Sequence, residues 1–102
     1  MPAYLVVHVD VHDPVRYEEY KAMAPPSIRQ YGGRYLTRGG AKEVLEGDWE
    51  PQRLVLLEFP SMDEARAFYR SPEYAEALAL RHATATSSVV LLEGLEQQPW
   101  AS

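Results

Sequence analysis

Tyr31-Gly32-Gly33-Arg34-Tyr35, Arg38-Gly39-Gly40 and Glu46-Gly47-Asp48-Trp49-Glu50-Pro51-Gln52-Arg53 follow one another between two segments that read as strands. An ordinary hairpin needs one glycine beside Asn or Asp. Two Gly-Gly pairs set among arginines mark a corner with a further duty, and the segments on either side of it decide the fold.

Upstream of the corner, Asp13-Pro14 is a helix start: the aspartate accepts from free backbone N–H groups, and proline at the first position has no N–H to leave unpaired. Tyr17, Tyr20, Ala24 and Ile28 then recur at helical spacing. Pro25-Pro26 interrupts the hydrogen-bond ladder and predicts a kink or restart, with Gly32 as the left-handed end. Before this helix, Ala3 to Asp10 alternates, with Ala3, Leu5, Val7 and Val9 on one face and Tyr4, Val6, His8 and Asp10 on the other, as a first strand does. Downstream, Gly33 to Thr37 reads as a short second strand that Lys42 to Glu46 extends or pairs with. Arg53 to Phe59 is the third and most apolar strand. Ser61-Met62-Asp63-Glu64 fits a capping box, opening a helix that buries Ala65, Phe68 and Tyr69. Ser71-Pro72-Glu73 repeats the signal for a further helix carrying Tyr74, Ala75, Leu78 and Arg81. Ser87 to Leu92 is the fourth strand, stopped at Glu93-Gly94. Residues 1–94 are thus expected to form one domain and 95–102 a tail, whose Trp100 needs a surface to cover it.

The order β-α-β-β-α-β specifies an α+β, ferredoxin-like sandwich: a four-stranded antiparallel sheet with helices on one face. Strands one, three and four carry apolar residues on both faces, more than a soluble monomer exposes. A second copy against the free face, in a two-fold homodimer, is the simplest closed solution.

Composition narrows the function classes. The chain has 102 residues and a net charge of -5, so a nucleic-acid partner is not expected, because phosphate contacts need a clustered basic surface. A membrane surface is disfavoured for the same reason. There is no cysteine, which removes disulfide and thiolate chemistry and suits a reducing compartment. Met1-Pro2-Ala3-Tyr4 has no basic leader, and the apolar run breaks at His8, so the expectation is a soluble cytoplasmic protein.

The combination of Tyr31-Gly32-Gly33-Arg34-Tyr35, Arg38-Gly39-Gly40, Glu46-Gly47-x-Trp49-x-Pro51-x-Arg53, Phe59-Pro60-Ser61, Tyr69-x-Ser71-x-Glu73-Tyr74 and Leu80-Arg81 resembles the DUF1330 family of uncharacterised proteins, within the dimeric α+β barrel superfamily. The resemblance runs from the first strand to Gly94. It implies a ferredoxin-like monomer that pairs into a barrel-like dimer, and no particular activity. Distant members of the superfamily include cofactor-independent monooxygenases, muconolactone isomerases and haem-dependent chlorite dismutases, so fold analogy alone selects no chemistry.

Two constellations carry candidate chemistry. Arg38, Arg53 and Arg81, with Tyr69 and Tyr74 as neutral donors, form a candidate site for a small organic acid held by guanidinium groups. The competing reading gives each arginine a resident carboxylate such as Glu50, Glu73 or Glu93 and makes the chain a non-catalytic dimeric module. His8 and Glu58, on neighbouring strands, are the candidate catalytic pair, in which the glutamate would orient the imidazole for proton transfer. His8, Asp10 and His12 have the composition of a facial metal triad. At about 3.3 Å per residue, however, the outer two are too far apart for a shared ion, and no metal is assigned. No cofactor is expected: the glycine pairs are not a nucleotide loop, and no haem ligand stands out. His82 complements a helix C-terminus, and Trp49 reads as a residue that covers the long corner. The resulting expectation is binding, and cofactor-free turnover, of a small anionic or aromatic metabolite.

Overall fold

Strand β1 (Ala3–Val11) buries alternate residues, as its sequence requires: Ala3, Leu5, Val7 and Val9 face the helices, and Tyr4, Val6, His8 and Asp10 face away. It is followed by α1 (Pro14–Gln30), β2 (Arg34–Arg38), β3 (Arg53–Phe59), α2 (Met62–Tyr69), α3 (Pro72–Thr84) and β4 (Ala85–Glu93). This computed structural model describes residues 1–96; Trp100 and most of the expected tail lie outside them. The strands form one antiparallel sheet in the order β2-β3-β1-β4, with the helices on one face. That is the ferredoxin-like arrangement, with the second helical segment in two pieces.

The helix boundaries follow their caps. Asp13 accepts from the N–H of Arg16 at 3.2 Å, Ser61 from Glu64 at 3.3 Å and Ser71 from Tyr74 at 3.2 Å, each removing one orphan donor. At the other end of α1, Gly32 (φ +81°) takes the left-handed conformation. Its N–H reaches Arg29 and that of Gly33 reaches Ile28, which is the Schellman closure of a helix. Gly33 is glycine for a different reason: a Cβ there would sit 2.6 Å from the Phe59 ring.

Four expectations are corrected. Helix α1 runs through Pro25-Pro26 as one element; its buried face, with Tyr17, Ala24 and Ile28, holds it against the core despite the lost donors. Lys42 to Glu46 forms no strand. Strand β4 begins at Ala85, directly at the end of α3, earlier than the expected start at Ser87, since Ala85 has little strand propensity of its own. On α3 the buried residues are Tyr74, Ala77, Arg81 and Thr84, whereas Ala75 is exposed.

The core lies between sheet and helices and is rich in aromatic rings. Phe68 stacks on Phe59 at 5.2 Å between centroids, within the range of favourable aromatic pairs, and meets Tyr74 at its near edge, 4.4 Å. The opposite face of the sheet is covered by no helix and shows Val90, Leu92 and Leu36 at 57%, 54% and 46% exposure. Among the described residues, no helix is long and apolar enough to cross a membrane.

Candidate functional site: a buried cationic cavity

The cavity lies within the helix–sheet layer, and all five residues expected to bind a ligand line it: Arg38, Arg53, Tyr69, Tyr74 and Arg81. Tyr17, Tyr20, Lys21 and Tyr35 complete its polar wall, and no aspartate or glutamate contributes. Its volume is ≈ 30 Å³, room for about two water-sized groups such as the oxygens of one carboxylate.

Arg81 is the centre of the site. Its position on the inner face of α3 leaves it 1% exposed, the largest of the fully buried side chains. Its Nη2 donates to the Tyr69 hydroxyl at 3.3 Å, while Nε and Nη1 have no partner among the described residues. Among the described residues no carboxylate lies within ion-pair distance of Arg38, Arg53 or Arg81. The structural alternative of resident partners at Glu50, Glu73 and Glu93 is therefore not what holds these cations. A buried charge without a counter-ion is costly, and buried donors left unpaired add to that cost.

Local backbone features place the other two arginines. Arg53 opens β3, its guanidinium lies 5.7 Å over the Tyr17 ring and its buried Nε is unpartnered. Gly39 (φ +69°) leaves the space this guanidinium occupies, since a Cβ there would collide with it. That is the further duty of the second Gly-Gly pair. Arg38 reaches the same side through a bulge: Tyr35 pairs with Leu57, Leu36 is left out, and Arg38 pairs with Val55. Simple alternation would send Tyr35 and Arg38 to opposite faces, and the extra residue brings both to the helix side. Arg38 then lies 4.6 Å over the Tyr35 ring and donates through Nη2 to the Lys21 carbonyl. In an unbroken helix that carbonyl would accept from residue 25. Pro25 has no N–H, so the proline frees the acceptor that holds Arg38 at the cavity mouth.

Tyrosine hydroxyls furnish neutral polarity. Tyr20 and Tyr74 share a hydrogen bond of 2.7 Å. Burial pushes the phenols of Tyr20, Tyr74 and Tyr35 above their ordinary value, so they stay protonated near neutrality and act as donors. For Arg81 burial works against the cation, but the surrounding tyrosine oxygens outweigh it and the net direction is upward. It remains a fixed positive charge.

His8 and Glu58 are separated by the strand register. His8 stands opposite Leu54 and Glu58 opposite Tyr4, four positions apart on the helix-free face. Glu58 is held by Arg34 at 2.7 Å, and His8 lies 3.5 Å from Asp10 with the Trp49 ring edge-on at 5.5 Å. The proposed proton-transfer couple does not form. His12 lies beyond β1, its Nε2 2.9 Å from the Thr86 hydroxyl. Tyr20 and Tyr35 were not among the expected site residues. The helical spacing of Tyr20 was a usable signal, but the face of Tyr35 depends on a bulge that no periodicity announces.

Among solved structures, RPA0582 of Rhodopseudomonas palustris, a protein of unknown function, is 22% identical over 94% of this chain and 84% of its own, with a TM-score of 0.76. A dimeric ferredoxin-like protein of unknown function from Jannaschia sp. CCS1 is 18% identical over 92% and 100%, at 0.69. SnoaB, a cofactor-independent oxygenase from Streptomyces nogalater, is 15% identical over 96% and 97%, at 0.65. At these identities the likeness is one of fold. Comparison with curated proteins returned no match. Residues 2–95 match the family described as "Domain of unknown function (DUF1330)", and the chain belongs to that family.

Proposed function

We propose that this protein binds a small organic anion in the cavity at Arg81, as a homodimer joined through its helix-free sheet face. The observation that carries the reading is the fully buried Arg81 guanidinium with two unpartnered nitrogens. An anion there supplies the missing counter-charge and acceptors. Arg53 adds a second unpartnered donor and Arg38 a cation at the mouth, while Tyr69 and Tyr74 donate as neutral groups. Charge-assisted bonds of this kind contribute about 1.5–3 kcal/mol each. The same geometry disfavours a module whose arginines serve only the fold, because ion pairs would then saturate them. Cofactor-free turnover of the bound acid is the second reading, supported by the Tyr20–Tyr74 hydroxyl pair, which puts a protonated donor in the cavity wall.

The homodimer is supported by the apolar residues of the free face, Val90, Leu92 and Leu36, and by the dimeric description of the Jannaschia sp. CCS1 protein. Calorimetric titration of acetate and formate into the parent, Arg53→Ala and Arg38→Ala proteins tests the site. Saturable binding by the parent, weakened about tenfold or more in each variant, is expected. Equal binding by folded variants would overturn the reading.

A further inference from the structure

A second hollow, ≈ 240 Å³ in volume and open to solvent, runs between α2 and β4. Its floor is apolar, with Ala65, Val89 and Leu91, and its rim carries Arg66 and Arg70. Leu5, Tyr69 and Val89 line both this groove and the buried cavity, so the two spaces share one wall. Within that wall Tyr69 is the only polar side chain, and its hydroxyl is the group Arg81 touches, at 3.3 Å. Tyr69 is half-buried, at the seam between a cation that lacks an anion and a groove that lacks an apolar occupant.

We infer that the ligand is an amphiphilic monocarboxylate, its carboxylate at Arg81 and its apolar tail in the α2–β4 groove, with Tyr69 turning aside as the partition between the two. The inference rests on the anion-site reading and adds the substrate class. Charge complementarity fixes the direction: the acid end belongs where unpartnered guanidinium nitrogens are, and the tail where Val89, Leu91 and Ala65 are. The cavity alone is too small for any acid beyond the simplest. The groove supplies the remaining room, since about 150 Å³ of apolar space already accommodates a benzene ring.

Titration of the parent protein with phenylacetate, acetate and uncharged phenylacetamide tests this. Phenylacetate is expected to bind about tenfold or more tightly than acetate, since each methylene buried in an apolar pocket is worth that much, and phenylacetamide is expected not to bind measurably. Leu91→Trp, which fills the groove from a residue that does not line the cavity, should abolish the gap between the two acids and leave acetate unchanged. Leu91→Phe provides the same test if the first variant does not fold. Ring-current shifts of the Val89 and Leu91 methyl resonances on adding phenylacetate are expected in the unmutated protein. If acetate and phenylacetate bind the parent equally, or the gap persists in a folded groove variant, the tail assignment is overturned and the anion site stands. If neither acid binds, the anion site falls and this inference with it.

Discussion

Arg34 and Arg38 stand on the same short strand, and the molecule uses them in opposite ways. Arg34 points to the helix-free face and pairs with Glu58 across the sheet at 2.7 Å. Arg38, turned by the bulge at Leu36, points to the helix side, where its only hydrogen-bond partner among the described residues is a backbone carbonyl that a proline has left free. The difference extends to the two faces as a whole. On the open face the exposed cation Arg34 has a carboxylate partner in Glu58, although the buried Nε2 of His8, 3.5 Å from Asp10, makes no hydrogen bond among the described residues. On the helix side Arg81 is buried and Arg53 half-buried, each with unpartnered buried nitrogen, and among the described residues no carboxylate lies within ion-pair distance of either. Paired charges on a surface are explained by the fold. Unpaired charges in a core oppose folding and imply an occupant.

The comparison breaks most severely at Arg81. Arg81→Met keeps the apolar stem and removes the charge. It is expected to abolish acid binding while making the ligand-free protein more stable by about 1–4 kcal/mol, the range seen when buried ionic groups are replaced by apolar ones. Calorimetry and urea unfolding of the same preparation read both effects. On the opposite face, Val90→Glu places a charge at the expected dimer contact and its symmetry mate. Sedimentation should show the dimer weakened by about 3–5 kcal/mol, the cost of an uncompensated buried charge; an unchanged assembly would move the interface elsewhere. Gly39→Ala forces a side chain into the left-handed region and against Arg53, an expected loss of about 1–3 kcal/mol in urea unfolding. Arg34→Ala, by contrast, removes a pair whose arginine is 71% exposed and should cost no more than about 1 kcal/mol by the same assay.

The smallest effect is one of pH. Glu73 is held below the ordinary carboxylate value of 4.5 by its own backbone N–H and then by the Tyr31 hydroxyl, and that bond raises the Tyr31 phenol. A lowered carboxyl contributes stability present above its unfolded value and lost as pH falls through the folded one. A raised phenol contributes stability present below 10.0 and lost as pH rises through its folded value. Tyr31→Phe should therefore flatten slightly both the acid and the alkaline limbs of a stability–pH curve.

The faces of β1 and β3 were legible because alternation in Ala3 to Asp10 and Arg53 to Phe59 is unbroken, and the three caps were legible because Asp13, Ser61 and Ser71 announce them. Alternation gives a face and not a register, so it could place His8 and Glu58 on one side of the sheet without revealing that Leu54 and Tyr4 are their actual neighbours. Pro25-Pro26 misled in the same way: the local rule describes the lost donors correctly, but tertiary burial of Tyr17, Ala24 and Ile28 decides whether the helix continues. The convergence of Arg53, Tyr69, Tyr74 and Arg81 on one cavity could be anticipated from topology. Arg38 was expected there too, but the bulge that turns it and Tyr35 to the helix side could not be read, because no periodicity announces one extra residue in β2.

The most direct measurement is a crystal structure of the untagged protein grown or soaked in sodium bromide, with the halide located by its anomalous scattering. The account predicts a bromide in the cavity, within hydrogen-bond distance of Arg81 Nε or Nη1. An empty cavity, or an Arg81 whose free nitrogens are occupied by a carboxylate of a second copy, would contradict it.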